Sequence, residues 1–169
     1  MNGPPLLAVF VLTLLSGCAT RIDRARITDL SSPTSQRLAC ALRLDDVVDE
    51  RTTPETGLLG RRAYTVPDAP AQVRQALDRV GWSTSVDAAS VVVRIHKLYL
   101  GVQQSTRMGV VVLEVLRAGR PPFHARGQAT ALNWSASESG ARDLLIRALD
   151  AARTEVTATL NRGCTDAVS

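Results

Sequence analysis

The side chains able to do chemistry are few and scattered along 169 residues. His96 and His124 are the two histidines, and each stands two positions from an arginine, Arg94 and Arg126. Imidazole exchanges its proton near neutrality. Two of them beside two guanidinium groups suit anion binding or a catalytic centre. The alternative is a solvated strand face with no ligand. Asp45, Asp46, Asp49 and Glu50 form the densest acidic run. Carboxylate oxygens are calcium ligands, but this run lacks the spacing of a calcium-binding loop and reads as a charged strand end. Asp49 and Arg51, two positions apart, share a strand face and suit an ion pair. Ser137-Glu138-Ser139-Gly140 reads as a helix start, not as a nucleophile. There is no G-x-S-x-G elbow, phosphate loop, dinucleotide fingerprint or zinc-spaced cysteine pair. The residues therefore assign no catalytic side chain, no cofactor and no metal ligand, and the chain reads as non-enzymatic.

The third chemical feature is Cys18. The apolar run Leu6 to Leu15 leads into Leu15-Ser16-Gly17-Cys18. Ten mostly apolar residues fall short of the roughly 20 that span a bilayer as a helix. Small residues and then a polar stretch follow, as in a processed leader. The pattern resembles a bacterial lipoprotein signal peptide over 1–17 with its lipobox. That resemblance implies cleavage before Cys18, acylation of Cys18, and attachment to the lipid bilayer. Stable anchoring takes about two acyl chains. Ala19, rather than Asp, after the cysteine implies the outer membrane, with the domain facing the periplasm. The alternative is a short buried helix with Cys18 an ordinary core thiol.

In an oxidising periplasm the remaining pair, Cys40 and Cys164, is a disulfide candidate; two buried thiols are the alternative. The formal net charge is +4, with arginines scattered among acids and Lys97 the single lysine. No basic stripe interleaved with aromatics is present, so nucleic acid is not an expected partner. An envelope protein and anionic head groups are.

The elements that must position these groups follow from periodicity. Residues 18–36 are polar and read as a flexible membrane tether. Leu38, Cys40, Leu42 and Leu44 alternate, which predicts a strand over 37–48. Residues 51–62 hold Pro54, Gly57 and Gly60 and read as a loop, with a short edge strand over 63–66. Asp68 and Pro70 open a helix that Gly81 stops. Strands are predicted over 90–100, 106–117 and 123–134. A helix follows over 137–161, capped by Ser135 or Ser137 and ended by Gly163, with Leu145, Leu149, Ala152, Val156 and Leu160 as its apolar stripe. Arg142, Arg147, Asp150 and Arg153 fall off that stripe. Ala125, Gly127, Ala129 and Ala131 give the last strand a face of small residues on which a helix can sit closely.

The order β-(β)-α-β-β-β-α predicts one α+β domain over 37–169. Its expected form is a mixed, mostly antiparallel sheet of four to five strands with two helices packed on one face. The other face would carry Arg94, His96, His124, Arg126 and Gln128 beside an exposed apolar stripe, Val110 and Val112, open to a partner.

Val47-Val48-Asp49-Glu50-Arg51 before Gly57, the helix ending at Gly81-Trp82, and Asp87-Ala88-Ala89-Ser90-Val91-Val92-Val93 resemble segments of the YajG-type periplasmic lipoproteins. The leader and the hairpin-then-helix ending also resemble the PqiC-like auxiliary lipoproteins of ABC-type transport systems. The first resemblance implies an envelope lipoprotein with a binding or structural role. The second implies an accessory subunit of a lipid-transport system. An envelope hydrolase using His96 or His124 ranks below both.

Overall fold

A computed structural model describes residues 22–32, 34–132 and 137–165. The leader over 1–17, Cys18, Ala19 and Ser135 lie outside the described residues. The chain is an α+β fold with two sheets. Four strands form the larger one: β2 (Leu42–Asp49), β5 (Ala89–Gln103), β6 (Thr106–Arg117) and β7 (Phe123–Leu132), in the order β2-β5-β6-β7. β2 runs parallel to β5, and the other pairs are antiparallel. Three short strands form the smaller one: β1 (Asp23–Arg26), β4 (Arg62–Thr65) and β3 (Glu55–Leu59), in the order β1-β4-β3. Both helices, α1 (Ala69–Leu77) and α2 (Glu138–Thr165), pack on the larger sheet, α1 against β2 and α2 against β6 and β7.

The capping chemistry matches expectation. The Asp68 carboxylate accepts from the Ala71 amide at 3.4 Å, and Ser137 Oγ accepts from the Gly140 amide at 3.2 Å. The helix α2 does not stop at Gly163. It runs on to Thr165 and turns Cys164 inward, where Cys164 is bonded to Cys40 with Cα atoms 5.7 Å apart. Among the described residues no helix is long and apolar enough to cross a membrane.

Two segments depart from expectation. The predicted tether over 18–36 is, from residue 22 onward, part of the folded body. β1 pairs with β4, and Ile27 and Leu30 are each 1% exposed. The polar residues that made this stretch look like a linker bind α2 instead. Asp29 pairs with Arg142 at 2.6 Å, Ser32 and Thr34 donate to Asp150, and Gln36 donates to Thr154. The loop predicted over 51–62 contains β3. Its register slips between Glu55 and Gly57, which breaks the alternation by which a strand is recognised. A single sheet of four to five strands therefore becomes two sheets. The first large-sheet strand also starts later, at Leu42, with Leu38 and Cys40 packed beside it.

The small-residue face of β7 does carry a helix. A Cβ on Gly127 would lie 1.8 Å from the Ala148 carbonyl oxygen and 2.5 Å from the Ala152 amide nitrogen. One on Gly109 would lie 2.8 Å from the Leu144 carbonyl oxygen. The α2 backbone thus rests directly on the sheet. Gly127→Ala is expected to force α2 off β7 and to cost about 3 kcal/mol, the upper end for an inserted methyl group, because backbone rather than a side chain must move. A urea midpoint lowered at constant m-value would show it. A midpoint within error of wild type would mean that the helix sits further from the strand.

Candidate functional site

The histidines meet on the sheet face opposite the helices. Arg94 on β5 is in register with Glu114 on β6, and Glu114 with His124 on β7. Cross-strand partners hold their Cβ atoms about 5 Å apart, so the three side chains stand in a row. His96 joins the row through a β-bulge. Register passes from Ile95↔Leu113 directly to Lys97↔Val112, leaving His96 unpaired. Such an extra residue re-aims its side chain. His96 Nε2 lies 3.2 Å from Glu114 Oε2, and the two imidazole centroids are 5.6 Å apart.

Two further groups complete the cluster. Arg94 Nε lies 3.2 Å from Glu50 Oε1 and its Nη1 lies 3.6 Å from Glu114 Oε2. Glu50 Oε2 is 3.8 Å from His96 Nε2. The hydrogen bond with His96, aided by the positive charges around it, holds the Glu114 carboxyl below its ordinary range. His124 makes no hydrogen bond among the described residues. Arg126, expected beside His124, turns away and donates to Gln128 at 3.0 Å. Its backbone amide is taken by Glu155 of α2 at 2.6 Å.

The acidic run disperses rather than converging. Asp45 pairs with Arg43, Asp46 with Arg74, Asp49 with Arg51 and Glu50 with Arg94. Four carboxylates with four separate arginines do not build a calcium cage, and the strand-end reading stands. The Asp49–Arg51 pair is bidentate, at 2.8 and 2.7 Å, and the Arg51 hydrogen bonds hold the Asp49 carboxyl below its ordinary range. The Arg51 side chain is 6% exposed, and its buried Nη1 has no hydrogen-bond partner among the described residues. Beside it a recess of about 180 Å³ is lined by Arg51, Thr52, Thr53, His96, Lys97 and Tyr99, among others.

The exposed apolar stripe is absent. Val110 is 1% exposed and Val112 half-buried. In register Val110 lies between Tyr99 and Gln128. The outer face that holds the histidines is therefore mostly polar near them, and its exposed apolar side chain on β7 is Leu132, at the strand's end.

Sequence reasoning missed Glu114, which meets His96 and lies in register with His124. Its signal was available: Glu114 is the one charged residue in the run Gly109 to Leu116. The bulge was also marked. The buried positions switch from odd (Val91, Val93, Ile95) to even (Leu98, Leu100) across His96-Lys97.

No protein-family model matches this chain, and no curated protein matches it. Solved structures do resemble it. Protein XCC0632 from Xanthomonas campestris, of family DUF330, is 11% identical and superposes with a TM-score of 0.55, over 86% of this chain and 99% of that one. The crystal structure of an uncharacterized protein is also 11% identical, with a TM-score of 0.43 over 84% of this chain and 99% of that one. At such identity the likeness to XCC0632 is one of fold.

Proposed function

We propose that this chain is a lipid-anchored lipoprotein of the bacterial cell envelope with a non-enzymatic binding or structural role. Acylated Cys18 holds it at the outer membrane, and its α+β domain faces the periplasm. The observation that carries this reading is the lipobox, Leu15-Ser16-Gly17-Cys18. A disulfide between Cys40 and Cys164 supports an oxidising compartment.

The short distance from anchor to fold sharpens the reading. Cys18 lies five positions before Asp23, where β1 begins. Fully extended, that chain reaches roughly 17 Å. The small sheet would therefore lie at the bilayer surface, with exposed Arg24 and Arg26 facing the head groups. An accessory subunit of an ABC-type lipid-transport system is the second reading, favoured by the ending in a β6–β7 hairpin and then α2. Co-purification with an inner-membrane transporter would select it.

Membrane fractionation with intact-mass measurement tests the anchor. Wild type is expected in the outer-membrane fraction with a lipid-sized mass on Cys18. The variant Cys18→Ser is expected unprocessed and without that mass. An unmodified wild-type chain in the soluble fraction would overturn the proposal.

A further inference from the structure

We infer that His96, Glu114 and His124 form a site for a divalent transition-metal ion, with zinc the best fit. One ligand atom from each lies within 4.8 Å of the other two. Zinc bonds nitrogen and oxygen at about 2.0–2.2 Å in a tetrahedron, which sets neighbouring donors roughly 3.3 Å apart. His96 Nε2 and Glu114 Oε2 already meet that spacing, at 3.2 Å. The remaining closure falls to His124, an exposed side chain with no hydrogen bond to give up among the described residues.

The donor set selects the metal. Two imidazoles and one carboxylate suit zinc and its neighbours, whereas calcium and magnesium take oxygen shells. Charge agrees. With neutral histidines, Glu50 and Glu114 outweigh Arg94, leaving a net negative cluster for a cation to enter. Arg94 sits behind both carboxylates as the supporting partner that orients metal-binding side chains. Three adjacent strands carry the three donors, so the backbone spacing is held by the sheet itself. Three protein ligands leave one coordination position open to water or an exogenous ligand. The inference does not depend on the lipid anchor.

The test uses the full chain in detergent, without a polyhistidine tag and stripped by a chelator. Cobalt(II) serves as the coloured probe and zinc as its competitor. The expected result is one equivalent of cobalt with tetrahedral ligand-field bands, displaced by zinc. His96→Ala and His124→Ala should each weaken binding beyond about 100-fold, and Arg94→Gln by roughly 10-fold, as for a supporting partner. A second measurement needs no variant. These are the only two histidines, so stoichiometric zinc should protect both from diethyl pyrocarbonate. Equal modification rates with and without zinc would overturn the inference. So would a wild-type zinc affinity no tighter than that of a His96→Ala/His124→Ala double variant.

Discussion

Reduction of the Cys40–Cys164 bond is expected to destabilise the fold by about 5 kcal/mol, at the top of the range for disulfides. The cause is separation in sequence. The two cysteines are 124 residues apart, so the closed loop takes in most of the chain. Cross-linking so long a loop removes much of the unfolded chain's freedom. In the native state the bond ties the approach to β2 to the last turn of α2. Weaker contacts hold the same approach: Leu38 packs on the core and Gln36 donates to Thr154. Asn161 accepts from the Ala39 amide at 2.8 Å and donates to the Arg37 carbonyl at 3.1 Å, each bond contributing about 1 kcal/mol. Urea unfolding with and without reductant measures the effect, and a Cys40→Ser/Cys164→Ser variant should reproduce it. The midpoint should fall and the m-value rise, because an uncross-linked unfolded chain exposes more surface. In heat the loss corresponds to roughly 10–20 °C for a domain of this size. A change below about 1 kcal/mol would mean that the unfolded chain is already restrained near these cysteines.

The same bond shows what a sequence can and cannot disclose. Cys40 and Cys164 could be paired by arithmetic and compartment, and the two long strand–helix partners, β7 and α2, by their small and apolar faces. Strands β5, β6 and β7 and both helices followed from periods of 2 and 3.6 over ten or so residues. The failures are local and share a cause. β1 has four residues, of which Ala25 alone is buried, so it carries no period at all. β3 and the middle of β2 are bulged, with slips at Glu55/Gly57 and Leu44/Asp46. A slip exchanges inward for outward positions and erases the alternation. The histidine site lay halfway between these cases. Alternation put His96 and His124 on the outer face, which is where they stand. That they meet depends on β-strand register, which sets Glu114 between Arg94 and His124, and on a bulge at His96. Register is a property of pairs of strands, so it is written in no single segment.

Arg153 is the clearest case of tertiary structure overriding pattern, and its removal should cost nearly as much as the disulfide. Its helical position placed it off the apolar stripe of α2, yet its side chain is 1% exposed. It is buried because α1 and the N-terminal segment both close over that face of α2. Its Nη1 donates to the Ala76 carbonyl at 3.3 Å, in the last turn of α1, where the carbonyls lack helical partners and a cation is favoured. Its Nη2 pairs with Asp150, which also accepts from Ser32 at 3.2 Å and Thr34 at 3.3 Å. One guanidinium thus joins α1, α2 and the segment before β2. Arg153→Ala is expected to destabilise by about 3–5 kcal/mol, the cost of breaking a buried pair from one side. The cavity and the orphaned Ala76 carbonyl both add to it. Arg153→Met refills most of the volume and should cost clearly less. The Arg153 Nε is buried without a hydrogen-bond partner among the described residues, so the network they form is incompletely satisfied and an apolar replacement removes a penalty as well as a bond. Replacing Asp150 by Asn in the Arg153→Met background removes the stranded carboxylate charge. Its effect there should be smaller than in the wild-type background, giving a coupling between the two sites. Urea midpoints of the four proteins in that cycle decide the matter. Additive costs, or an Arg153→Ala loss under about 1 kcal/mol, would show that α1 and the N-terminal segment are held to α2 by apolar packing alone.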